Sequence, residues 1–278
     1  MTSDVAEVRA RLRSRLAGAD PALGTMVKID DFSVLDIARS AGFDFVVIDG
    51  EHSQLGGSGV SRLLRYALAL RLPAMVRMPA LDPGVVNRAL EAGAAGIQLS
   101  NVNSRKQVDD LIDATRYAPG GTRSISLAHP GADHGGTPIA DYLDDEAKQP
   151  PLLVVQIESP HLLDPLDDII VDVDVAFHGP TDMSVALGLG GATDHEAYLR
   201  ERLRLGDAAL KAAVPTGSWI SDPAALGACI DRGERYIAIG SDLQILGKGL
   251  RALTRSRTID RHPSSPIPEL GESSQEVT

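Results

Sequence analysis

The feature that most constrains this chain is an alternation repeated eight times: a short apolar run, then a stretch with helical spacing. The runs are Gly24–Ile29, Phe43–Asp49, Pro73–Pro79, Gly96–Asn101, Leu152–Glu158, Val173–Gly179, Pro215–Ser221 and Tyr236–Asp242. Several, such as FVVID, LLVVQIE and YIAIG, are nearly unbroken by polar residues, the pattern of parallel strands covered on both faces. The covering helices are predicted at Ser33–Ser40, Gly59–Leu72, Pro83–Ala92, Ser104–Tyr117, Glu196–Ala213, Pro223–Arg232 and Asp242–Arg255, with a turn through Leu162–Val171. Eight β-then-α units close into a (β/α)8 TIM barrel, which typically takes about 250 residues, and this chain has 278. An open doubly wound sheet would need a Gly-rich phosphate turn after its first strand, and GTMVKIDD has none. The predicted α/β fold is therefore one barrel domain over residues 1–255, opened by an N-terminal helix. Residues 256–278, polar and rich in Pro and Ser, are predicted to be a disordered tail.

Composition narrows the partners. Lys and Arg number 27 against 38 Asp and Glu, a net charge of −11, which repels phosphate backbones and anionic lipid alike. No nucleic-acid or membrane partner is expected. Cys229 is the one cysteine, so no internal disulfide can form, which fits a reducing compartment and a cytoplasmic address. The N-terminus lacks a signal-type apolar region, and no apolar run approaches the roughly 18 residues of a membrane span.

In such a barrel the chemistry lies at the C-terminal ends of the strands. Here those ends are polar: Asp49, Glu51 and His52 in IDGEHS, Arg77 in VRMP, Ser100 and Asn101, Gln156 and Glu158 in QIES, and His178 and Asp182 in FHGPTDMS. Glu158 and Asp182 suit a hard octahedral cation with open positions, although Asp182 could equally cap a helix. His52, three residues after Asp49, can serve as a base near neutral pH, but a lone loop histidine is ordinarily a solvated surface residue. Arg77 can hold an oxyanion, or pair with Glu51 or Asp49 as a structural ion pair. Lys28 is a weak Schiff-base candidate, as easily a solvated charge or a substrate contact. The AHPGADHGG segment is expected to be a lid, GLGGAT at Gly188–Thr193 an active-site or interface loop, and the acidic run Asp164–Asp174 a solvated helix face.

The ordered segments GFDFVVIDGEHSQ, PAMVRMP, ALEAGAAGIQ, RYAPGGTRS, VVQIES, VAFHGPTDMS and IAIGSD resemble the HpcH/HpaI family of class II pyruvate-dependent aldolases, from about Gly24 to about Leu253. The resemblance implies a barrel of the phosphoenolpyruvate/pyruvate-binding type. It also implies a divalent cation, Mg2+ or Mn2+ first, with Co2+ or Zn2+ compatible. The implied reaction makes a pyruvate enolate and joins it to an aldehyde, or cleaves a 4-hydroxy-2-oxo acid. Carried over to this chain, Glu158 and Asp182 would hold the metal, with Gln156 nearby. Backbone amides of the Gly179-Pro180-Thr181 turn would cradle the pyruvate carboxylate. Arg77 would stabilise the enolate oxygen, and His52, oriented by Asp49, would move the proton. The resemblance further implies a homo-oligomer, trimeric or hexameric, in which Glu91 of LEAG is offered to a neighbour's site.

The chain departs from the family pattern where the aldehyde would sit. Ser100 and Asn101 replace a Pro-Met pair, the aromatic of the first strand is absent from GTMVK, and His178 replaces an aliphatic residue. Trp219, the lone tryptophan, closes the seventh strand, where it would restrict the acceptor to a short or compact polar aldehyde. Competing readings are another enolate reaction, either decarboxylation of a 2-oxo diacid or cleavage of an acyl-CoA ester, and a noncatalytic oligomeric binding protein.

Overall fold

A computed structural model of the chain describes residues 3–255; the expected tail at 256–278 lies outside the described residues. The eight predicted strands are all present and all parallel. They are β1 (Ala22–Val27), β2 (Phe45–Asp49), β3 (Ala74–Met78), β4 (Gly96–Leu99), β5 (Leu152–Ile157), β6 (Val175–His178), β7 (Thr216–Ile220) and β8 (Tyr236–Ser241). They pair in sequence order, and β8 returns to β1 through Ala22 opposite Tyr236, closing the barrel. β1 ends before its predicted limit because the amides of Lys28 and Ile29 donate to the Asp242 carboxylate, at 2.7 and 2.8 Å, and leave the sheet.

Helices α1 (Asp4–Leu16), α2 (Phe32–Ser40), α3 (Gly57–Ala69), α4 (Pro83–Glu91), α5 (Arg105–Thr115), α6 (Ile139–Lys148), α7 (Leu166–Ile169), α8 (Pro180–Ala186), α9 (Glu196–Ala212), α10 (Leu226–Asp231) and α11 (Asp242–Arg255) follow. Some of their starts carry side-chain caps. Asp82 accepts from the Val85 amide ahead of Pro83, and Ser104 and Gln107 form a reciprocal capping box. The helix predicted at Pro223–Arg232 is a 3-10 turn, Pro223–Ala225, that continues into α10. The described residues fall into two units, with the division after Leu243.

Alternation along each strand sorts the barrel wall. Met26, Phe45, Val47, Met75, Val154, Phe177 and Ala238 form the inner cluster, while Val46, Ile48, Val76, Ile97, Val155 and Ala176 pack outward among the helices. Gly24 is required by this packing, since a Cβ there would lie 2.3 Å from the Phe45 ring. Leu12 and Leu16 of α1 belong to the inner cluster, so α1 closes the N-terminal end of the barrel. The fully buried Leu12 contributes about 2 kcal/mol of burial. Only the opposite end is left for chemistry.

One expectation is overturned. Residues 116–151 do not form a lid over this barrel: they carry a 3-10 turn (Pro130–Gly135) and α6, and dock against α1 through Arg9 to Glu146 at 2.5 Å and Ser3 N to Asp145 at 3.2 Å. The segment joins the end of a helix to the start of a strand, so it returns to the N-terminal face, whereas loops that follow strands reach the mouth. The acidic run is a solvated face at Asp167 and Asp168 of α7, as expected, but its two ends are tied down. Asp164 accepts from the Arg105 amide at 2.8 Å, and Asp174 accepts from the Leu153 amide at 2.8 Å and from Arg13 at 3.1 Å.

Candidate active site

The ends of β1, β2 and β3 bring together a charged network. Asp49, fully buried, receives Arg77 on both oxygens, Nε to Oδ1 at 2.9 Å and Nη2 to Oδ2 at 2.6 Å. Lys28 lies next in the inward-facing series that includes Met26, and its ammonium sits 3.1 Å from Asp49 Oδ2. The Asp49 Oδ1 also accepts from the amides of Glu51 and His52, at 3.0 and 3.1 Å. Burial pushes this carboxyl up, but hydrogen bonds and charge from Arg77 outweigh it and hold it well below the usual carboxylate range. Glu51 completes the cluster, 3.3 Å from Arg77 Nη1 and accepting from Ser100 Oγ at 2.6 Å.

Asp49 therefore orients the backbone of His52, not its imidazole. The His52 ring, 57% exposed, has its Nε2 3.8 Å from Glu51 Oε2. The expected Asp49–imidazole dyad is absent because the Asp49 oxygens are already taken. Both structural partners considered for Arg77, Asp49 and Glu51, are present at once.

Across the mouth, Glu158 follows β5. Its Oε1 accepts from the Asn101 amide at 2.7 Å, and its Oε2 accepts from Gln156 Nε2. Asn101 can aim that amide because it adopts a left-handed backbone, φ 51°, which Asn tolerates better than most residues. A Cβ on Gly179 would lie 2.6 Å from Glu158 Oε2, so only glycine leaves the carboxylate its place. Burial pushes the Glu158 carboxyl up to about 7; the Gln156 hydrogen bond opposes this, and the charges of Asp182 and Glu51 add to it. Asp182, exposed, stands in the first turn of α8, whose start at Pro180 lacks a side-chain cap.

Several predicted contacts take a different form. The Gly179 amide is spent on the Ile157 carbonyl at 3.1 Å and Pro180 has no N–H, so Thr181 is left as the residue of that turn with an amide to offer. The Ser100 hydroxyl is committed to Glu51. Trp219 does face the barrel interior, but its indole N–H donates to the Gly240 carbonyl at 3.1 Å and is unavailable to an acceptor. His178 points away from the mouth into the layer beneath α9, where it meets the Tyr198 ring at 5.2 Å. Burial drives its imidazole down to about 3. Glu91 ends α4, a helix that descends from β3, and accepts from Asn87 at 3.2 Å on the far side from this chain's own mouth.

Sequence reasoning passed over Gln98 as a working residue. Gln98 is 1% exposed inside the barrel, flanked by the outward-facing Ile97 and Leu99. Strict alternation around a polar residue in an apolar strand was its available signal.

A closed parallel barrel with acids, an arginine and a histidine gathered at the C-terminal strand ends has the architecture of a (β/α)8 enzyme whose chemistry lies at that mouth. The HpcH/HpaI aldolase/citrate lyase family pattern matches residues 24–248, and the chain belongs to that family. It is 31% identical over 253 residues to a hydroxypyruvate/pyruvate aldolase of Roseovarius nubinhibens, covering 89% of this chain and 97% of that protein. It is 29% identical to a 5-keto-4-deoxy-D-glucarate aldolase of Escherichia coli, covering 87% and 94%. A crystal structure of an HpcH/HpaI aldolase/citrate lyase family protein from Burkholderia cenocepacia superposes with a TM-score of 0.80 at 29% identity, covering 90% and 99%. Members of the family are generally dependent on a divalent metal and act on small molecules such as pyruvate and aldehydes. Among the described residues, no helix is long and apolar enough to cross a membrane.

Proposed function

We propose that this chain is a divalent-cation-dependent pyruvate aldolase that forms or cleaves a 4-hydroxy-2-oxo acid through the pyruvate enolate. The observation that carries this reading is the convergence of Glu158 and Asp182 opposite the Asp49–Arg77 pair in one mouth. Three carboxylates, Glu158, Asp182 and Glu51, are close enough that two of them raise the pKa of the third. Arg77 pairs with Glu51, whereas among the described residues no Lys or Arg ion pair reaches Glu158 or Asp182. Among the described residues no group of three or more His, Cys, Asp or Glu is arranged to hold a metal, so Glu158 and Asp182 would hold the cation as a pair. Water and a chelating 2-oxo acid would complete its shell, as suits Mg2+ or Mn2+.

When bound, the cation supplies the electron sink for the 2-oxo acid. The chain's own groups do the rest. Arg77, held in place by its two hydrogen bonds to Asp49, presents its guanidinium to the developing enolate oxygen. The Thr181 amide at the open start of α8 binds the pyruvate carboxylate. His52, exposed at the rim, takes the proton from the 4-hydroxyl during cleavage and returns it during addition. Trp219 restricts the depth of the mouth, which favours a compact polar aldehyde, and the Asn101 side chain is its polar contact.

We further read the protein as a cytoplasmic homo-oligomer in which Glu91 serves a neighbouring subunit. Exposed Leu246 and Leu250 on α11 and Leu199 and Leu203 on α9 support an assembly, and the buried thiol of Cys229 suits a reducing compartment. Aldol addition of pyruvate to a panel of short hydroxyaldehydes, with Mn2+ and after chelation, tests the reaction. Formation of 4-hydroxy-2-oxo acids only with the cation supports it. Turnover of an acyl-CoA ester or decarboxylation of a 2-oxo diacid without any aldol product would favour the competing enolate chemistry.

A further inference from the structure

A line of hydrogen bonds runs through the closed interior of the barrel and ends on Glu158. The Tyr236 hydroxyl donates to Gln98 Oε1 at 3.2 Å, Gln98 Nε2 donates to Gln156 Oε1 at 2.8 Å, and Gln156 Nε2 donates to Glu158 Oε2. Tyr236, Gln98 and Gln156 are each no more than 2% exposed. Apolar residues of the same volume would fill this space with no polar groups to desolvate. The polar line therefore calls for another explanation, and its direction supplies one.

An ionised carboxylate can only accept hydrogen bonds. Gln156 must then turn its NH2 towards Glu158 and its carbonyl oxygen towards Gln98. That oxygen needs a donor, which obliges Gln98 to turn its own NH2 towards Gln156 and its oxygen towards Tyr236. The hydroxyl of Tyr236 closes the line as donor. Its ring is clamped by Phe45, stacked at 4.1 Å, and by the edge of Phe177 at 5.9 Å, so the hydroxyl stands at a fixed point. Without Gln98, nothing at the far end of the Gln156 amide would distinguish its two flipped orientations. One of these sets an amide oxygen against the carboxylate.

We propose that Gln98 and Tyr236 are positioning residues that aim the Gln156 amide at Glu158 and thereby set the strength with which Glu158 and Asp182 hold a divalent cation. This rests on reading Glu158 as a cation-holding carboxylate. It extends the site inward from the mouth to residues that touch neither substrate nor cation. Outer partners of metal-holding side chains typically govern affinity by roughly ten- to hundredfold.

The test is a titration of Mn2+ followed by its electron paramagnetic resonance signal, on wild type, Gln98→Leu, Tyr236→Phe and the double variant, with thermal melts of the metal-free proteins alongside. Gln98→Leu should raise the Mn2+ Kd roughly tenfold or more, and Tyr236→Phe roughly three- to tenfold. The hydroxyl acts through Gln98, so Tyr236→Phe should add almost nothing in the Gln98→Leu background, a non-additivity that two unconnected packing losses would not show. Should Gln98→Leu fail to fold, Tyr236→Phe, which removes one oxygen and keeps the ring, decides alone. Wild-type Mn2+ affinity in the folded variants, whatever happens to their melting temperatures, would overturn the proposal. Failure of the wild type itself to bind Mn2+ would overturn it too, and would show separately that the cation reading of Glu158 and Asp182 is wrong.

Discussion

Asp49 and Arg77 meet edge to edge at the ends of two adjacent strands, with hydrogen bonds of 2.9 and 2.6 Å along both sides of the carboxylate. The strand register pairs the same two residues, so the backbone ladder and the ion pair fix each other. Breaking one side of a buried pair costs about 3–5 kcal/mol, because the remaining charge stays buried without a partner. Asp49→Asn should fall near about 3 kcal/mol, since Glu51 still faces Arg77. A urea denaturation midpoint equal to that of wild type would show that the pair adds little to the fold.

His52 should separate catalysis from stability. Its ring is 57% exposed, so His52→Ala should leave stability within about 0.5 kcal/mol. Aldol cleavage should drop by roughly 10²–10⁴-fold, the loss expected for a general base. Unchanged turnover would remove His52 from the mechanism.

The barrel and the placing of its charged residues were legible to different degrees, for physical reasons. Runs such as FVVID and LLVVQIE disclosed buried parallel strands because hydrophobic burial acts on every residue of a strand. Asp49, Arg77 and Glu158 were legible because a charged residue ending an apolar run must find a partner or a ligand. What those charges do to one another was not legible. The spacing of Asp49 and His52 suggested a carboxylate–imidazole dyad, yet Arg77 and Lys28, from two other strands, take the carboxylate first. His178 was misplaced for a related reason: one step of alternation sends a side chain to the opposite face of a sheet. The role of residues 116–151 depended on which end of the barrel a helix-to-strand connection must reach, which no local pattern states.

His178 should make the protein acid-sensitive. Its imidazole titrates near 3 when folded and near 6.5 when unfolded, so below pH 6.5 the unfolded chain binds the extra proton. Stability then falls as pH drops from about 6.5 towards 3, by on the order of 5 kcal/mol if the full difference is realised. His178→Leu should remove that slope and raise the melting temperature at pH 5 relative to wild type. Parallel pH profiles for the two proteins would contradict the burial of a neutral imidazole.

Glu158 should act in the opposite sense in metal-free protein. Its carboxyl is raised to about 7 when folded from 4.5, so the folded state binds the proton more tightly. Stability is greatest below about pH 4.5 and declines as pH rises towards 7, by roughly 3 kcal/mol. Glu158→Gln should abolish the decline without weakening the fold at pH 7. Melts of both proteins between pH 5 and 8, after chelation, check this. A wild-type profile that rises across that range even in a His178→Leu background would contradict it.

The most direct test of the central claim is the exchange of pyruvate methyl protons for deuterium in D2O, which reads enolate formation without any need to know the aldehyde. With Mn2+ or Mg2+ present, the wild type should exchange these protons. Chelation should stop the exchange and the added cation should restore it, while Glu158→Gln and Asp182→Asn should stay silent throughout. Exchange at the full rate after thorough chelation, or in the Glu158→Gln protein, would contradict a cation-dependent pyruvate enolate at this site.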